Sequence, residues 1–99
     1  MDFEPKITSI IEEIISICTR INQVDEIILY GSRAKGTHMD KSDLDIALVG
    51  QNLDIERLRD AIGEIQTLLK IDLVDFNNCK NELLKQEVAK DGITLYRKI

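Results

Sequence analysis

The chain has 99 residues, a net charge of −5, 43% hydrophobic residues and 4% aromatic residues. That length makes one domain, 1–99, with a modest aliphatic core. The acidic balance disfavours sequence-independent binding that relies on many Lys and Arg contacts to nucleic-acid phosphates, and it disfavours an anionic membrane surface.

No stretch approaches membrane-spanning length, and the N-terminus lacks a charged region followed by an apolar run. Cys18 and Cys79 are far apart and form no Cys-x-x-Cys pair, so neither a zinc site nor a redox motif is indicated. Reduced thiols and a cytoplasmic location are expected.

Ile7, Ile10, Ile11, Ile14, Cys18 and Ile21 recur at three- and four-residue spacing, which predicts a helix from about Glu4 to Ile21. Pro5 suits its first turn, and Ile15 and Ile17 widen its apolar face. A turn is expected over 22–26. Ile27-Ile28-Leu29-Tyr30, closed by Gly31, reads as a buried strand. The segment from Arg33 to Ser42 is a polar loop carrying Arg33, Lys35, His38 and Lys41. From Asp43 to Val49 the pattern alternates: Asp43, Asp45, Ala47 and Val49 share one face, and Leu44, Ile46 and Leu48 the other. These two strands can pair antiparallel.

Ile55, Leu58, Ile62, Ile65 and Leu69 mark a second amphipathic helix, with Asp54 as its N-cap and Gly63 a weak point inside it. Ile71 to Phe76 predicts a third strand, with a turn at Asn77-Asn78. Leu83, Leu84, Val88 and Ala89 predict a third helix that stops near Asp91-Gly92. Ile93 to Tyr96 adds a short last strand. The order describes an α+β domain: a single mixed sheet with helices packed on one face. The order of strands stays open.

One stretch carries chemistry. Gly31-Ser32 is followed by ten residues and then by Asp43-x-Asp45, a combination expected by chance in about one such chain in a thousand from average composition. Side chains two apart on a strand point the same way, so the two carboxylates stand side by side with Cα atoms about 6–7 Å apart. Their mutual repulsion is relieved by a hard divalent cation, and Mg2+ takes one or two protein carboxylates with the rest of its shell from water and phosphates. Gly31 lets a phosphate approach the backbone, and the Ser32 hydroxyl can donate to it. Arg33 and Lys35 add positive charge that suits a triphosphate, and Ser42 is a further candidate nucleotide ligand. His38 has no partner visible in sequence and reads as a loop residue. A third carboxylate would complete a two-metal site. Asp72 and Asp75 are the choices, and their odd spacing sends them to opposite faces.

The GSRAKG and SDLDIAL segments, with the later Ile-Asp72-Leu-Val, resemble the polymerase-β-type nucleotidyltransferase superfamily. The resemblance is strongest to its minimal stand-alone members, the MNT-domain proteins. It implies the nucleotidyltransferase fold and transfer of a nucleoside monophosphate from an NTP to a hydroxyl, with release of pyrophosphate. It implies Gly31 and Ser32 on the triphosphate, Asp43 and Asp45 on both of two Mg2+ ions, and Asp72, favoured over Asp75, on the catalytic ion. It further implies an antitoxin whose partner is an all-helical HEPN toxin, with ATP as donor and a toxin tyrosine as acceptor. Two other readings remain at this stage: a non-catalytic module that masks its partner, and transfer to RNA or a small molecule. The acceptor, the base and the oligomeric state are not legible.

Overall fold

The computed structural model describes residues 3–21 and 24–99. Its elements are α1 (Pro5–Ile21), β1 (Glu26–Tyr30), α2 (Ser32–Lys35), β2 (Leu44–Val49), α3 (Ile55–Gly63), β3 (Ile71–Asp75), α4 (Glu82–Asp91) and β4 (Ile93–Arg97). Of the turn expected over 22–26, Asn22 and Gln23 lie outside the described residues, and Glu26 already belongs to β1.

The strands form one mixed sheet in the order β3-β2-β1-β4. β1 lies antiparallel to both β2 and β4, and β2 runs parallel to β3. A parallel neighbour needs a crossover, and α3 supplies it. β2 is therefore interior, with ladders on both sides, and its alternation sorts side chains strictly. Leu44, Ile46 and Leu48 are fully buried in the main core with Ile27 and Leu29 of β1 and Leu73 of β3.

α1 and α3 cover that face. Ile7, Ile10, Ile11, Ile14, Ile17 and Cys18 of α1, and Leu58 and Ile62 of α3, are buried in it. The breadth of the α1 face is real: Ile17 is buried, and Ile15 and Ile21 pack at its margin. Asp54 caps α3 by accepting from the Arg57 N–H at 3.2 Å. α3 ends at Gly63, so Ile65 and Leu69 lie beyond it in an irregular segment. Both still pack against the core, which is why apolar spacing outlasts the helix.

α4 takes a place that the one-face arrangement does not describe. Its Val88 is buried with Tyr30 and Ala47, and Leu84 packs there with Ile28, Val74 and Phe76. These strand residues alternate with those of the main core, so α4 lies over the opposite face. The physical reason is that β1 and β2 carry apolar side chains in both directions at Ile28, Tyr30 and Ala47. Asn81 caps α4 by accepting from the Leu84 N–H at 3.1 Å. The last strand runs one residue past the expected Tyr96. Among the described residues no helix is long and apolar enough to cross a membrane.

Candidate active site

The register of the sheet brings the predicted residues together. Tyr30, the last residue of β1, lies opposite Asp45, and Asp45 lies beside Asp72 on β3. Asp45 points away from the main core because its neighbours Leu44 and Ile46 point into it. Asp43 stands exposed at the entrance to β2, and Asp72 is exposed beside it. Asp75 belongs to the other set of alternating positions, with Ile71 and Leu73. Its Oδ2 accepts from Asn78 Nδ2 at 2.8 Å, and its Oδ1 is buried without a partner. Asp72 is thus on the face of Asp45, and Asp75 is not.

The electrostatics reflect that crowding. Burial pushes the Asp45 carboxyl above its ordinary 3.8, and the charges of Asp72, Asp43 and Glu87 push it further, against an opposing pull from Lys70. The Tyr30 phenol is raised well above its usual range, chiefly by burial and then by Asp45, Asp72 and Glu87. Among the described residues, no cation lies within 4.0 Å of Asp43, Asp45 or Asp72. As the side chains stand, no group of three His, Cys, Asp or Glu among those residues is close enough together to hold an ion. The donor set nevertheless fits a hard divalent cation by its chemistry. It offers unpaired carboxylate oxygens at adjacent strand positions, one of them already disfavoured as an anion by its neighbours.

Gly31 links the strand to the short helix α2. Its φ of 78° and ψ of −157° lie in a region held almost only by glycine. A Cβ there would run into the Asp45 carboxylate, whose Cγ would be 3.2 Å away. Glycine is therefore required by the backbone angles and by the space that Asp45 occupies. Ser32 opens α2, half-buried, and its hydroxyl has no hydrogen-bond partner among the described residues. The sequence reading placed all of 33–42 in a loop, since a four-residue helix has too few turns to show a period.

The basic residues divide. Arg33 is buried, 6% exposed. Its Nε donates to the Ser42 carbonyl at 3.1 Å, and its Nη2 donates to the carbonyls of Asp40 at 3.1 Å and Met39 at 3.5 Å. In this structure Arg33 ties down the loop that delivers Asp43, a different use from the phosphate contact expected of it. Ser42 works in the same loop, its Oγ accepting from the Met39 N–H at 2.8 Å. Lys35 is exposed, and its ammonium is 3.4 Å from the Glu87 carboxylate of α4. His38 is half-buried. Its Nε2 is 3.9 Å from Glu4, and it lines a hollow of about 270 Å³ with Phe3, Ile7 and Ala34. Glu87, Lys70 and Tyr30 surround the site without having been singled out from sequence. Nothing in a single sequence says which face of α4 meets β1.

Residues 12–98 match the family model described as polymerase beta, nucleotidyltransferase. The chain belongs to that family. It is 32% identical over 105 residues to the protein adenylyltransferase MntA of Aphanizomenon flos-aquae (strain 2012/KM1/D3), covering 93% of this chain and 69% of that protein. Its fold matches a chain in a crystal structure of a toxin–antitoxin with AMP-PNP at a TM-score of 0.67 and 27% identity, over 89% of this chain and 73% of that one. It also matches, in fold alone, a chain from the complex of a tri-AMPylated Shewanella oneidensis HEPN toxin with its MNT antitoxin. There the TM-score is 0.61 and the identity 23%, over 92% of this chain and 72% of that one. In this nucleotidyltransferase domain Gly31 abuts the Asp45 carboxylate, and Asp45 lies beside Asp72 in the register of β2 with β3.

Proposed function

We propose that this domain transfers AMP from ATP to a hydroxyl of a partner protein, a tyrosine of an all-helical HEPN toxin, and so acts as an antitoxin. The observation that carries the reading is the juxtaposition of Asp45 with Asp72 across β2 and β3 and with Gly31 beneath it. Membership of the nucleotidyltransferase family and likeness to a protein adenylyltransferase supply the reaction class.

In this reading Asp43, Asp45 and Asp72 hold two Mg2+ ions. Bound Mg2+ supplies charge neutralisation for the phosphates and for the departing pyrophosphate. Gly31 and Ser32 seat the triphosphate, the Ser32 hydroxyl donating to a phosphate oxygen. Lys35 adds a mobile positive charge beside it. Arg33 and Ser42 act one step back, fixing the 37–42 loop so that Asp43 keeps its place. The acceptor oxygen bonds to the α-phosphorus as the bond from that phosphorus to the bridging oxygen breaks, and pyrophosphate leaves. The acceptor proton passes to Asp72, the more exposed of the two paired carboxylates. Phosphoryl-type transfer asks the protein mainly for positioning and electrostatic stabilisation, and rigid strands provide the first.

The test uses α-labelled ATP with Mg2+ and an all-helical HEPN protein co-expressed with this chain. Label is expected on that protein, and Asp43→Asn with Asp45→Asn is expected to abolish it. Labelling that persists in the double variant would remove these carboxylates from the reaction. Protection from the partner by an unlabelling variant would favour masking over catalysis, and label on tRNA or an aminoglycoside would redirect the acceptor.

A further inference from the structure

The loop after Gly31 offers two cations near the nucleotide turn, and they are not equivalent. Arg33 is buried against the carbonyls of Met39, Asp40 and Ser42. Lys35 is the exposed cation of α2, and its ammonium sits 3.4 Å from Glu87. Glu87 belongs to α4, and the next residue, Val88, is buried against Tyr30 and Ala47 on the face that carries Asp45. The ion pair therefore joins α2 to α4 beside the carboxylates. Glu87 also adds to the negative field felt by Asp45 and Tyr30, so its charge reaches the site.

We propose that Glu87 is a latch for Lys35: it holds the ammonium, an incoming triphosphate must draw Lys35 away, and Glu87 thereby sets nucleotide affinity. The inference rests on the nucleotide-binding reading above. It makes Glu87 a positioning residue that touches no substrate and acts through Lys35. Both partners are partly solvent-exposed, at 42% and 35% of their side chains, so the competition is a modest one. An exposed pair sets a ceiling of about fivefold on the effect.

The experiment titrates ATP with Mg2+ into the whole domain by calorimetry, for four proteins: the native chain, Glu87→Gln, Lys35→Gln, and the two changes together. Glu87→Gln is expected to bind ATP about two- to fivefold more tightly. Lys35→Gln is expected to weaken binding, and adding Glu87→Gln to it to tighten binding by clearly less than Glu87→Gln does in the native chain. Glu87→Asp, which keeps the charge, is expected to behave as the native chain. Unchanged affinity in Glu87→Gln overturns the latch. So does an equal tightening with and without Lys35, because that would make Glu87 part of a general field. A native chain that binds no ATP overturns the nucleotide reading itself, and a native chain that binds while the variants break the pattern overturns the latch alone.

Discussion

Replacing Gly31 by alanine tests the link between the nucleotide turn and the carboxylates. The backbone at Gly31, φ 78° and ψ −157°, is disfavoured for any residue with a Cβ, at a cost of about 1–3 kcal/mol. The new methyl would also strike the Asp45 carboxylate. Turning that side chain out of its rotamer adds about 0.5–1.5 kcal/mol. Together the loss of stability is about 1.5–4.5 kcal/mol, and for a domain of this size the melting temperature should fall by roughly 6–36 °C. Urea denaturation of Gly31→Ala in the native and Asp45→Ala backgrounds separates the two parts. In the second background the clash is gone, so the alanine should cost less by about 0.5–1.5 kcal/mol, the size of a contact-level coupling. Equal losses in both backgrounds, within about 0.5 kcal/mol, would mean that Gly31 and Asp45 do not compete for space.

Asp45→Asn should change the pH profile of stability. The native carboxyl titrates above its unfolded 3.8, so the folded state binds the extra proton and stability is lost as pH rises through the raised value. Thermal melts of the asparagine variant should be flatter across that range and higher at neutral pH than those of the native chain; a native profile that rises there contradicts the assignment. Arg33→Lys should cost about 1.5–3 kcal/mol, because an ammonium cannot reproduce the buried fork to the Asp40 and Ser42 carbonyls. Hydrogen exchange of residues 37–42 should quicken in that variant, and unchanged protection would show that the guanidinium does not hold the loop.

The parts of the fold that were legible in sequence are those with a strong period or a local signal. The α1 stripe marked a helix from about Glu4 to Ile21, one residue longer than the Pro5–Ile21 observed, and Asp54 announced the start of α3. The alternation of Asp43 to Val49 gave the two faces of β2 directly. Three features were hidden. The end of α3 at Gly63 was masked because Ile65 and Leu69 keep their apolar spacing in irregular chain. The side of the sheet taken by α4 depends on Ile28, Tyr30 and Ala47, whose outward facing is a matter of tertiary packing. Arg33 looked like a phosphate ligand because charge in a polar loop gives no hint of burial; its three carbonyl partners appear only when the loop folds back on it.

The site divides in the same way. Spacing alone put Asp43 and Asp45 on one face and sent Asp72 and Asp75 to opposite ones. Which of the last two stands beside Asp45 required the parallel register of β2 with β3, and no pattern within one strand encodes its neighbour's register. Glu87 was invisible for the same reason as the placement of α4.

The most direct measurement of the central claim is calorimetric binding of a non-hydrolysable ATP analogue with and without Mg2+. If Asp43, Asp45 and Asp72 form the cation's seat beside Gly31-Ser32, Mg2+ should tighten binding to the native domain by about tenfold or more, worth about 1.4 kcal/mol at least. The Asp43→Asn, Asp45→Asn variant should show no such gain. A variant that keeps the full Mg2+ dependence would contradict the account.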